Sequence, residues 1–112
     1  MSAQRIDLQE PFVRVDVEKG KELIERGITV IDVREPHEYA EGHIPNAVLA
    51  PLNSFLANPQ RYVQKGPVLF VCAAGVRSAL ACEMAAAVGI TDLYNLEGGT
   101  NAWIERGLPI ER

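Results

Sequence analysis

One short stretch carries most of the chemistry this sequence can offer: Cys72-Ala73-Ala74-Gly75-Val76-Arg77-Ser78. Cysteine reacts as its thiolate, and its pKa of roughly 8.5 falls to about 3.5 to 7.5 beside a helix N-terminus or a cation. Arg77 brings a cation, and Gly75 permits a tight turn. If the run joins a strand to a helix, its successive backbone N–H groups converge on one point and form an anion cradle. Cys72 and Arg77 are therefore the candidate catalytic pair. Ala73, Ala74, Gly75, Val76 and Ser78 line the candidate substrate site, mostly through backbone amides, because alanine and valine side chains offer neither charge nor hydrogen bond.

Other reactive residue types support weaker readings. Asp32 and Arg34 are read as a scaffold for the site, by an ion pair or by loop-bracing hydrogen bonds. His37 and His43 lack the spacing and the second ligand pair of a zinc site, and their segment reads as a surface turn, so no metal is expected. Cys82 reads as a small apolar packing residue. It could resolve an oxidised Cys72 only if the two α-carbons came within roughly 7 Å. Gly98-Gly99 suits a turn, and Trp103 a core position.

The elements that must position these residues follow from periodicity and punctuation. Phe12 to Val17 alternates as a half-buried strand does, and a helix to Arg26 is closed by Gly27. Ile28 to Val33 suits a strand buried on both faces, with Asp32 and Arg34 at its C-terminal end. Glu35 to Glu41 has room for a short helix, Ala47 to Ala50 for a brief strand, Pro51 to Leu56 for another helical piece, and Asn58-Pro59 for a turn. Val68 to Val71 is the strongest strand signal and leads straight into Cys72. Ser78 to Val88 reads as an alanine-rich helix, apolar almost all round with Glu83 its only charge, and therefore largely buried; Gly89 ends it. Asp92 to Leu96 supplies a last strand, and a final helix carrying Trp103 ends at Gly107. Alternating strands and helices imply an α/β domain with a mostly parallel sheet of about five strands between two helical layers. Ligands of such folds bind beyond the C-terminal strand ends, here after Val33 and after Val71.

The cysteine run resembles the active loop of the rhodanese-like sulfurtransferases, a C-x-x-G-x-R pattern followed by serine. Ile31-Asp32-Val33-Arg34-Glu35-Pro36, Tyr39, Gly42-His43-Ile44-Pro45 with Ala47, and Gly98-Gly99 with Trp103 resemble further signatures of that family in its order and spacing. Asn46 stands where the family commonly has glycine, but asparagine tolerates left-handed backbone angles. The resemblance implies a rhodanese-like three-layer domain over residues 12–112 behind an N-terminal extension, residues 1–11. It also implies a ping-pong reaction in which Cys72 takes sulfane sulfur from thiosulfate or a persulfide donor and passes it to cyanide or a thiol. No cofactor is implied. Two alternatives stay open: a module fed with sulfur by a protein partner, and a phosphatase or arsenate reductase. Related folds with that second chemistry have an active loop one residue longer than Cys72 to Arg77.

Composition sets the outer bounds. A chain of 112 residues with 47% hydrophobic content is the size of one ordinary α/β domain. A formal charge of −4 without a basic stripe argues against nucleic-acid binding. No stretch is long and apolar enough for a membrane span, and Met1 to Pro11 lacks the apolar centre of a signal peptide. Two cysteines make no disulfide framework, so a free thiol in the cytoplasm is the expectation.

Overall fold

The structure is a computed structural model that describes residues 10–112; most of the N-terminal extension read at residues 1–11 lies outside the described residues. In chain order the elements are β1 (Val13–Val15), α1 (Val17–Glu25), β2 (Thr29–Asp32), α2 (Pro36–Glu41), β3 (Val48–Leu49), α3 (Leu52–Ala57), α4 (Pro59–Tyr62), β4 (Val68–Val71), α5 (Val76–Ala87), β5 (Leu93–Leu96) and α6 (Gly99–Glu105). The five strands form one sheet in the order β1-β5-β4-β2-β3, with every pairing parallel. The expected α/β architecture is thus present.

The central strand shows why the sheet needs helices on both sides. All four residues of β4 are buried. Its alternation sends Val68, Phe70 and Cys72 into one apolar cluster with Phe55, Ala81, Cys82 and Ala85 from α3 and α5. Leu69 and Val71 enter the opposite cluster with Val17, Leu23, Ile24 and Trp103 from α1 and α6. Cys72 therefore leaves the C-terminal end of the most enclosed strand, with neighbours β2 and β5 fixing its position from either side.

Three expectations need correction. Asn58-Pro59 is more than a turn: Pro59, with its φ preset for a first helical position, opens the one-turn helix α4. The alanine-rich helix begins at Val76, two residues before Ser78, so Arg77 belongs to its first turn. That helix is also not buried all round. Ser78, Ala81, Cys82 and Ala85 face the sheet, while Val76 is 78% exposed and Leu80 45% exposed. Alanine is small enough to occupy either environment, so an alanine-rich pattern reveals no face.

The loop after α2 also differs from an open surface turn at one position. His37 is exposed, but His43 is buried, stacked on Tyr39 at 3.7 Å between ring centroids, and its backbone pairs with Glu111 near the C-terminus. Asn46 takes the left-handed conformation at φ 69°. Among the described residues no helix is long and apolar enough to cross a membrane.

Candidate active site

Cys72 is buried at 1% exposure where β4 ends, and the chain turns sharply before α5 starts. The turn depends on Gly75, which sits at φ 105° as the N-cap of α5. That left-handed conformation favours glycine, and a Cβ there would also stand a tight 3.2 Å from the Leu96 carbonyl oxygen. The Gly75 N–H donates to Cys72 Sγ at 3.0 Å, and the Ser78 hydroxyl donates to the same sulfur at 3.3 Å. The cradle expected of this loop is thus closed around the sulfur of Cys72 itself.

These contacts determine the acidity of the thiol. Burial alone pushes the Cys72 thiol up, but the Ser78 hydroxyl and the N–H groups of Ser78, Gly75 and Ala74 favour the thiolate and hold the net value below that of an ordinary cysteine. Ser78, expected to line the substrate site, donates its hydroxyl to the sulfur of Cys72. Ala74 and Val76 are exposed at the mouth of the loop, and Ala73 is half-buried. Cys82 is wholly buried one helical turn beyond Ser78, and burial drives its thiol up to about 12, the opposite direction to Cys72.

Arg77 has a partner that the sequence reading did not include. Its two terminal nitrogens donate to the two carboxylate oxygens of Glu38 on α2 at 2.8 and 2.9 Å, a bidentate pair. The hydrogen bond from Arg77 is the main reason the Glu38 carboxyl drops to about 2, against the opposing effect of burial. The acidity of Cys72 therefore comes chiefly from hydrogen bonds in the loop, while Arg77 is paired with Glu38.

Asp32 and Arg34 do lie together at the end of β2, as a buried ion pair at 2.8 Å. Arg34 also donates to the Gly42 carbonyl at 2.8 Å, which ties the end of the strand to the loop that follows α2. Two further supports of the cysteine loop were missed. Asn95 on β5 is wholly buried, and its Nδ2 donates to the Gly75 carbonyl at 3.1 Å and to Glu97 at 2.6 Å. Gly99 lies against the loop so closely that a Cβ would stand 2.5 Å from the Cys72 carbonyl oxygen. The first amides of α6 then bind the loop: Thr100 N–H donates to Cys72 O at 2.8 Å and Asn101 N–H to Ala73 O at 3.0 Å. A polar asparagine inside an apolar strand and paired glycines at a strand-to-helix junction were the signals available for both.

Known proteins resemble this chain in sequence and in fold. A sulfurtransferase from Allochromatium vinosum is 34% identical over 74% of this chain and 78% of its own. The thiosulfate sulfurtransferase GlpE of Actinobacillus pleuropneumoniae is 30% identical over 93% of this chain and 97% of its own. In three dimensions, a rhodanese-related protein from Thermoplasma volcanium superposes with a TM-score of 0.81 at 31% identity, covering 89% of this chain and 98% of the other. The rhodanese-like domain model matches residues 16–106, a span that holds β2, the whole cysteine loop and both of its braces, and the chain belongs to the rhodanese-like domain family.

Proposed function

We propose that the protein is a sulfurtransferase in which Cys72 carries sulfane sulfur as a persulfide between a donor and a thiophilic acceptor, cyanide or a thiol. The observation that carries this reading is the sulfur of Cys72, fixed at the mouth of a strand-to-helix loop by Gly75 N–H at 3.0 Å and the Ser78 hydroxyl at 3.3 Å. Both donors favour the thiolate, the attacking form. Once a second sulfur is attached, it extends the anion to the loop amides, which then act on its terminal sulfur as an anion hole acts on a developing oxyanion. Asn95 and Gly99 are positioning groups that hold the cysteine loop, and Asp32 with Arg34 braces the neighbouring strand end.

Support also comes from the sulfurtransferase names of the two relatives and from the six-residue span Cys72 to Arg77. The working unit is residues 12–112, and the cytoplasm, whose reducing conditions keep a lone reactive thiol free, is its proposed setting. Intact-protein mass spectrometry after incubation with a sulfur donor tests the proposal. A gain of one sulfur in the native protein, absent in Cys72→Ser, is expected; equal gain in both would place the sulfur elsewhere.

A further inference from the structure

The charge of the loop arginine is already balanced by a carboxylate. Each terminal nitrogen of Arg77 donates one N–H to Glu38, and the pair is partly buried, at 34% and 25% side-chain exposure. The cation at the neighbouring strand end, Arg34, is equally committed, to Asp32 and the Gly42 carbonyl. Along the loop and the start of α5, the exposed Ala74, Val76 and Leu80 carry no charge. With Cys72 ionised, Arg77 and Glu38 cancel and the reacting groups carry a net negative charge.

Two donors place different demands on such a mouth. With thiosulfate, the Cys72 thiolate attacks the outer sulfur, the S–S bond breaks, and sulfite leaves as a dianion with the electron pair. The sum is Cys–S⁻ + S₂O₃²⁻ → Cys–S–S⁻ + SO₃²⁻, three negative charges on each side. With a thiol persulfide, the thiolate attacks the terminal sulfur, the S–S bond breaks, and the carrier leaves as thiolate. The sum is Cys–S⁻ + R–S–SH → Cys–S–SH + R–S⁻, one negative charge on each side. The more negative charge the reacting groups gather, the more loading gains from a cation that is not already neutralised, so thiosulfate depends on Arg77 more than a persulfide does.

We propose that the donor taken by this loop is a small thiol persulfide, with little charge beside the sulfur, and that Glu38 sets the preference by neutralising Arg77 through their bidentate ion pair. The inference rests on the sulfurtransferase reading above and narrows it to a substrate class. Glu38 acts through Arg77 and is a positioning residue.

The test compares rates of sulfur gain at Cys72 from thiosulfate and from hydroxyethyl persulfide, whose carrier is uncharged, each normalised to its reaction with free cysteine. Glu38→Gln is the informative variant, because its Oε1 retains the acceptor now used by the Glu35 N–H at 2.8 Å while the charge that holds Arg77 is removed. The native protein is expected to favour the persulfide, and Glu38→Gln to raise the thiosulfate-to-persulfide ratio about fivefold, the scale of one released partly exposed ion pair. A second measurement needs no variant: raising ionic strength from about 20 to 200 mM should leave native thiosulfate loading level or faster, because like charges are being screened. Thiosulfate preferred by the native protein, loading that slows with salt, or an unchanged ratio in a folded Glu38→Gln protein would each overturn the inference and leave sulfur transfer standing. Failure of both donors to load Cys72 would overturn the sulfurtransferase reading and this inference with it.

Discussion

Replacing Ser78 by alanine isolates the hydrogen bond that most directly sets the reactivity of Cys72. The hydroxyl is fully buried and donates to Sγ at 3.3 Å. Hydrogen bonds to charged groups are worth about 1.5–3 kcal/mol, and a contact this long to a diffuse sulfur belongs at the low end. Since about 1.4 kcal/mol is one pK unit, Ser78→Ala should raise the Cys72 pKa by roughly one unit. The sign follows because the bond favours the charged form, so its loss favours the neutral thiol. Alkylation by iodoacetamide, followed from about pH 5 to 10, reads the thiolate fraction directly. Cys82 does not interfere, because burial holds its thiol near 12. The native midpoint should lie below the ordinary cysteine value, and the variant should react about tenfold more slowly below both midpoints. Arg77→Ala provides the contrast: a smaller shift is expected, since hydrogen bonds dominate the acidity. A Ser78→Ala midpoint that stays put, or an Arg77→Ala shift larger than it, would refute this account.

The braces of the loop give further tests. Gly99→Ala combines positive φ with a Cβ 2.5 Å from the Cys72 carbonyl oxygen; it should cost at least about 2 kcal/mol and depress sulfur loading, as thermal melting and mass spectrometry would show. Arg34→Met strands the carboxylate of Asp32, which has 0% side-chain exposure, and should destabilise by about 3–5 kcal/mol in chemical denaturation. The Glu38 carboxyl, held at about 2 in the folded chain, ordinarily titrates near 4.3, so its ion pair stabilises the fold above that value and is lost as pH falls toward 2. Because Arg77 is one-third exposed, the share at stake is only about 1 kcal/mol, and Glu38→Gln should flatten the acid limb of a stability-against-pH curve by that amount.

What the sequence makes legible is local. Val68 to Val71 reads as a strand because four apolar β-formers run unbroken into Cys72, and the structure has β4 at those residues. The cysteine loop is legible for the same reason, since its cysteine, glycine, arginine and serine are neighbours in the chain. Glu38 is not, because it stands 39 residues from Arg77 and meets it only through the placement of α2 and α5 around the sheet. The start of α5 escapes detection because its cap is the backbone geometry of Gly75, with no side-chain cap hydrogen bond. Asn95 is intermediate: its polarity inside an apolar strand was visible, but its partner, the Gly75 carbonyl, is set by β5 lying beside β4.

The central claim, that Cys72 carries sulfur between two half-reactions, is tested most directly by discharging a preloaded protein. The chain would be loaded with sulfur, freed of donor, and mixed with cyanide in a single turnover while its mass and the thiocyanate formed are followed together. The account predicts one thiocyanate per lost sulfur, with the added sulfur mapped to the peptide containing Cys72. Sulfur mapped to Cys82, or sulfur on Cys72 that cyanide and thiols both fail to remove, would contradict it.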